Sequence, residues 1–217
     1  MKKTILAIIT AGILSLSGCA ATLFLSVDSS PVLVNPWNTI PEDYKVTLTQ
    51  MPDGHAVDKR CYSDLQKMMD DCAEAGFAPL ICSSYRTWED QEQLYNNKIN
   101  SLIALGYSED DARREAGTVV AVPGTSEHQL GLAVDIVDAN EQVLDLSQGA
   151  TATQQWLMEN SWKYGFILRY PAGKTDVTGI IYEPWHYRYV GKNVAREIYE
   201  SGLCLEEYIE QSAKSEK

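Results

Sequence analysis

Two short segments carry two of the chain's three histidines, each beside carboxylates: Ser126-Glu127-His128-Gln129-Leu130-Gly131-Leu132-Ala133-Val134-Asp135 and Glu183-Pro184-Trp185-His186. Two imidazoles and a carboxylate make a three-ligand metal site with one coordination position left open, the arrangement that catalytic zinc uses. Zinc brings the pKa of a water in that position close to neutrality, and a nearby glutamate can then take its proton. His128, Asp135 and His186 are therefore candidate ligands and Glu183 a candidate base. No CxxC pair occurs, so a structural zinc knuckle is not expected.

The spacing constrains the backbone. Seven positions separate His128 from Asp135, an odd number that on an unbroken strand aims the two side chains at opposite faces. They converge only if the chain bends, and Gly131 is where it can. Glu183 and His186 share a side on a helical turn but not on a straight strand, and Pro184 excludes a regular central strand there. Singly, each group has a plain structural explanation: a core histidine, a turn-accepting aspartate, a helix-capping glutamate. Together they place four suitable groups in two short segments bent by glycine or proline, which favours a site.

Around these segments the periodicity predicts the scaffold. Val46 to Leu48 reads as a short strand. Asp58 to Gly76 reads as a helix, with Leu65, Met68, Met69, Cys72 and Ala73 at three- and four-residue spacing and Gly76 as its stop. Ala78 to Cys82 is strand-like. Thr87-Trp88-Glu89-Asp90 has the form of a capping box opening a helix to about Leu105, and Ser108 caps a shorter one. Strands are expected at Leu130 to Val137, Gly165 to Tyr170 and His186 to Val190, and helices at Thr151 to Tyr164, Val194 to Tyr199 and Leu205 to Gln211. Helices cluster early and strands late without a βαβ rhythm. This predicts an α+β fold, helices packed on a small, largely antiparallel sheet that carries the zinc site.

Ser83-Ser84-Tyr85-Arg86, the Pro123 to Asp135 segment, Tyr164-Gly165-Phe166-Ile167-Leu168-Arg169-Tyr170-Pro171 and Glu183 to Gly191 together resemble the zinc D-alanyl-D-alanine carboxypeptidases. That family includes the vancomycin-resistance carboxypeptidases and dipeptidases and the related L,D-carboxypeptidases of the cell wall. The likeness runs from about Tyr44 to Tyr208. The family pattern S-x-H-x-x-G-x-A-x-D falls without a gap on Ser126, His128, Gly131, Ala133 and Asp135, and E-x-W-H on Glu183, Trp185 and His186. The resemblance implies that His128, Asp135 and His186 bind one Zn2+, that Glu183 is the general base, and that Arg86 stabilises the oxyanion or holds the substrate carboxylate. It further implies a substrate-contacting Gln91, a pocket hydroxyl on Ser126, and pocket walls at Tyr170 and Trp185. One departure is visible: Ser84 stands where the family usually has glycine, and if that position needs a positive φ it costs on the order of 1 kcal/mol. His55 matches no ligand position and reads as a loop residue. A mononuclear iron centre would share the two histidines and carboxylate, but has no use for a glutamate three residues before the second histidine. A non-catalytic wall-binding module would be expected to lack a ligand or the base, and all four are present.

The remaining sequence bounds location and partners. The chain has 217 residues, 45% of them hydrophobic and 22% charged, enough for one domain with a core. A net charge of −12 argues against nucleic acid as a partner. Lys2 and Lys3 precede 24 uncharged residues from Thr4 to Val27. This reads as an export signal, a lipoprotein leader with Cys19 at its lipobox, or an uncleaved anchor. Each sends the remainder outside the cytoplasm, to the outer face of the bacterial cell membrane. If residues 1–18 are removed the net charge falls to −14, so a negatively charged substrate end must be caught locally by arginine. Residues 28–43 read as a proline-punctuated tether and 44–217 as the zinc carboxypeptidase domain. Cys61 and Cys72 share one helix about 16 Å apart and cannot bond to each other; buried free thiols are expected for these and for Cys82 and Cys204. The resulting expectation is a monomeric, membrane-tethered enzyme that removes D-alanine from peptidoglycan stem peptides ending in D-Ala-D-Ala. L,D-cleavage of tetrapeptide stems and hydrolysis of free D-Ala-D-Ala remain open.

Overall fold

The computed structural model describes residues 31–41 and 44–215. The leader at 1–27, with Cys19, lies outside these residues. Among the described residues no helix is long and apolar enough to cross a membrane.

The first helix follows from its cap and its stripe. Strands β1 (Leu48–Gln50) and β2 (Ala56–Asp58) form a hairpin that ends on Asp58. The Asp58 carboxylate accepts the Arg60 amide and opens α1 (Lys59–Glu74), which buries Cys61, Leu65, Met68 and Cys72. β3 (Pro79–Ser83) follows. Thr87 and Asp90 exchange both arms of the expected capping box at the start of α2 (Trp88–Ala104), and Ser108 caps α3 (Glu109–Val119). These two helices pack on each other through Ile99, Leu102, Ala112 and Ala116. Then come β4 (Ala133–Asp138), α4 (Ala152–Asn160), β5 (Phe166–Leu168), the single-turn α5 (Thr175–Thr178), β6 (His186–Tyr189), α6 (Lys192–Ser201) and α7 (Leu205–Ser215).

The main sheet runs β3-β4-β6-β5, antiparallel at every pairing, so the fold is α+β as the sequence predicts. Its faces divide by the two-residue period of the strands. Val134, Ile136 and Tyr187 point into the core with Leu65, Met68, Cys72 and Leu157 of α1 and α4. Burying each such large apolar side chain contributes roughly 1.5–3 kcal/mol. Asp135, His186 and Arg188 alternate with them and face the other way.

The sequence reading is corrected in several places. The strand expected from Leu130 begins only at Ala133, because Glu127–Leu130 form a 3-10 turn. The helix expected over Thr151 to Tyr164 ends at Asn160 and continues as a 3-10 turn at Ser161–Tyr164. Residues 31–41, read as part of a tether, belong to the folded unit: Val34 is fully buried, and Val32 and Ile40 pack against the same core. The prolines there interrupt any period, while Val32, Val34 and Ile40 dock on the core. All four described cysteines are free; Cys61, Cys72 and Cys204 are buried as expected, whereas Cys82 is exposed.

Candidate metal centre and active site

Two backbone devices bring the candidate ligands together. Gly131 adopts φ +69°, the left-handed conformation, directly after the 3-10 turn that holds His128. The chain therefore turns before entering β4, and the odd spacing to Asp135 no longer sends the two side chains apart. Asp135 and His186 are direct Cα partners across β4 and β6, a position in which side chains on one face approach closely. The second device is a turn: the His186 amide donates to the Glu183 carbonyl at 3.3 Å, placing Glu183 on the same side as His186.

The result is a tight cluster. One ligand atom from each of His128, Asp135 and His186 lies within 4.8 Å of the others. His128 Nε2 is 3.2 Å from Asp135 Oδ2, and His186 Nδ1 is 3.1 Å from Asp135 Oδ1 and 3.6 Å from Glu183 Oε2. His128 Nδ1 donates to the Ser84 carbonyl at 2.7 Å, which leaves Nε2 with its lone pair toward Asp135. Asp135 Oδ1 is buried without a hydrogen-bond partner. Unpaired buried oxygen is costly, and a divalent cation between the two imidazoles is what this oxygen fits.

Electrostatics point the same way. Burial, with the Arg86 guanidinium beside it, pushes His128 down to about 4, so it is neutral as a ligand must be. Burial alone would also lower His186, but Asp135 and Glu127 outweigh it and raise it to about 9. Burial raises Asp135 less than the two histidines lower it, so it stays well below the usual carboxylate range. Glu183 lines the cleft beside the cluster, and burial pushes it up to about 8 against the pull of His186. Three carboxylates, Asp135, Glu127 and Glu183, thus converge on the His186 imidazole in a dry site.

The cluster sits at the floor of a cleft of about 260 Å³ lined by Arg86, Ser126, Tyr170, Glu183 and Trp185, with apolar walls from α2, α3 and Ile180. Arg86 donates through Nη2 to Asp135 Oδ2 at 3.0 Å and through Nη1 to Gln91 Oε1 at 3.0 Å. The Tyr170 ring stands 4.8 Å from that of His186. Gln91 differs from its expected role: it is fully buried, its Nε2 donates to the Ala121 carbonyl at 2.7 Å, and its Oε1 receives Arg86. Both ends of the amide are engaged and Gln91 is not among the residues lining the cleft, so it stands behind Arg86. Ser84 carries no positive φ, so the serine there costs no left-handed strain. Its hydroxyl meets His55 Nδ1 at 3.0 Å, which fixes the His55 loop.

The sequence reading missed a buried charge network directly beneath the cluster. Glu127, fully inaccessible, receives Arg169 Nε and Arg188 Nη1 on its Oε1, each at 2.7 Å. Arg169 continues to Glu206, and Glu206 to Asn35. Burial would raise Glu127, but the two arginines hold it far below the usual carboxylate range. The available signal is that Glu127, Arg169 and Arg188 all lie inside the motif segments; their pairing is not legible there because the segments are remote from one another in sequence.

Comparison with known proteins agrees with this geometry. The family model for VanY, D-alanyl-D-alanine carboxypeptidase, matches residues 54–192. A D-alanyl-D-alanine carboxypeptidase of Enterococcus faecalis is 47% identical over 83% of this chain, which spans 65% of that protein's length. The solved structure of VanYB in complex with D-alanine-D-alanine is similar at a TM-score of 0.77 and 47% identity, covering 83% of this chain and 97% of that one. A VanY D,D-pentapeptidase mutant solved in complex with Zn(II) gives 0.76 at 46% identity, covering 83% and 98%, and the LdcB LD-carboxypeptidase 0.68 at 35%, covering 82% and 84%. The chain belongs to the VanY family of D-alanyl-D-alanine carboxypeptidases.

Proposed function

We propose that this protein is an exported zinc carboxypeptidase that removes the terminal D-alanine from peptidoglycan stem peptides ending in D-Ala-D-Ala. The observation that carries the reading is the convergence of His128, Asp135 and His186 on one point, with the Glu183 carboxylate beside them at the floor of an open cleft. Zinc bound by those three residues is a Lewis acid that polarises a carbonyl and makes water a nucleophile at neutral pH.

The chain's own residues supply the rest. Glu183 takes the proton of the attacking water, and its dry surroundings make it a stronger base than an exposed carboxylate. The same carboxyl then returns that proton to the nitrogen of the departing D-alanine. Arg86 is held by Gln91 and Ser83 with its fork at the cleft, where it stabilises the developing oxyanion or grips the terminal carboxylate. Ser126, Tyr170 and Trp185 border the bound peptide end, and the small, largely apolar cleft suits methyl side chains. The uncharged leader after Lys2 and Lys3 sends the enzyme across the membrane, with Cys19 as its lipidation site. Free D-Ala-D-Ala, made inside the cell, is then out of reach.

Incubating the purified protein with pentapeptide and tetrapeptide stems and weighing the products tests the reading. Loss of one D-alanine from the pentapeptide is expected. Release only from the tetrapeptide assigns the enzyme to L,D-cleavage, and no release from either stem refutes it.

A further inference from the structure

Three buried side-chain atoms of the described residues have no hydrogen-bond partner: Asp135 Oδ1, Glu127 Oε2 and His186 Nε2. The metal reading accounts for the first. The other two face each other across 3.5 Å, and the proposed catalytic chemistry uses neither.

We propose that Glu127 is a positioning residue for the metal centre: its Oε2 accepts the Nε2–H of His186 and so fixes the tautomer and ring plane that present Nδ1 to the ion. This rests on the metal site proposed above. His186 can offer only one nitrogen to that site, and Nδ1 is the one facing Asp135 and Glu183. Nδ1 carries a free lone pair only when the ring proton sits on Nε2, and Glu127 Oε2 is the acceptor waiting there. The other ligand is arranged in the same way, with His128 Nδ1–H on the Ser84 carbonyl and Nε2 free. Such outer partners orient a ligand and raise its basicity.

The remainder of the network explains how Glu127 can do this. A carboxylate that faces no water needs compensation, and Arg169 and Arg188 supply it, both on Oε1. That division leaves Oε2 for the imidazole. Glu206 pairs with Arg169, so two arginines and two carboxylates leave the group with no net charge. Buried ion networks stabilise a fold no better than apolar packing of the same volume, so stability alone gives no reason to bury four charges here. Aiming one oxygen at a metal ligand does.

Two measurements test this. In the zinc-loaded wild-type protein, nitrogen-15 NMR of the histidine rings should show His186 protonated at Nε2 and metallated at Nδ1. Metal at Nε2 overturns the proposal while leaving the zinc site intact, and failure to bind zinc at all overturns both. In Glu127→Gln the zinc dissociation constant, measured by chelator competition, should rise roughly 10–100-fold, with Glu127→Asp recovering part of the loss. An unchanged zinc affinity in a folded Glu127→Gln protein refutes the role. The NMR result decides the matter even where that variant does not fold.

Discussion

Replacing Gly131 by alanine tests the bend on which the metal site depends. The residue has φ +69°, where an L side chain costs roughly 1–2 kcal/mol. An added Cβ would stand 2.9 Å from Val46 Cγ2, 3.0 Å from the Asp58 amide nitrogen and 3.3 Å from Asp58 Cβ. The amide cannot yield freely, since it donates to the Gly131 carbonyl at 2.8 Å and belongs to the cap of α1. Weakening that bond adds roughly 0.5–1.5 kcal/mol. The sum, about 1.5–3.5 kcal/mol, corresponds to a melting temperature lower by roughly 3–14 °C for a domain of this size. Thermal melts in excess chelator keep metal binding out of the comparison. Gly173→Ala is the control: its φ is +77° with nothing within 4 Å of the new Cβ, so it should show the backbone cost alone. The Gly131→Ala protein should also bind zinc more weakly, because the bend sets His128 against Asp135. If it melts like Gly173→Ala and binds zinc normally, the close approach to Asp58 is not a constraint and the account of the bend is wrong.

Three further outcomes are expected. Glu183 in the folded chain ionises only near pH 8, against an ordinary value of 4.5, so its contribution to stability is full below pH 4.5 and is lost as pH rises toward 8. In metal-free protein, Glu183→Gln should therefore match wild type at pH 4.5 and exceed it by up to about 5 kcal/mol above pH 8, while zinc-loaded turnover drops by several orders of magnitude; denaturant melts at the two pH values and a stem-peptide assay read these effects. Arg86→Lys keeps the charge but loses the fork that meets Gln91 and Asp135. Its kcat/KM should fall about 100-fold or more, and an unaltered value would remove Arg86 from the chemistry. Deleting residues 1–41 strips the buried Val34 together with the 2.9 Å bond from Arg188 to the Val32 carbonyl and the 3.0 Å bond from Asn35 to Glu206. It should cost at least about 4 kcal/mol, and a melt unchanged by the deletion would show these residues to be a passive tether after all.

What the sequence disclosed and what it withheld divide along physical lines. The capping box at Thr87, the apolar stripe of α1 and the bend at Gly131 are local, each written within a few residues, and each is found where periodicity and cap chemistry put it. The start of β4 was misread because apolar Leu130 and Leu132 continue the strand pattern, while a 3-10 turn satisfies the backbone just before Ala133. The docking of Val34 has no periodic signal, because the short Val32-Leu33-Val34 run is set among prolines and is too brief to show a helix or strand period. The family resemblance gives Gln91 to the substrate, yet a motif match does not tell whether an amide faces the cleft or the arginine.

The charge network beneath the site makes the same point about function. Glu127, Arg169, Arg188 and Glu206 come from four separate stretches and are joined only by folding. Two of them flank ligand-bearing or cleft-lining segments: Arg169 precedes Tyr170, and Arg188 lies two residues beyond His186 on the same face of β6. A strand that must present a metal ligand on one face therefore also presents, one pleat further on, the cation that holds the ligand's partner. Glu206 lies on α7 and Asn35 in the first docked segment, so the last helix and that segment meet at the Glu206 carboxylate, which also holds Arg169. If the carboxylate at 127 is what orients His186, both ends of the folded chain contribute to the metal site, and mutations at Glu206 or Asn35 should weaken zinc binding without touching a single ligand.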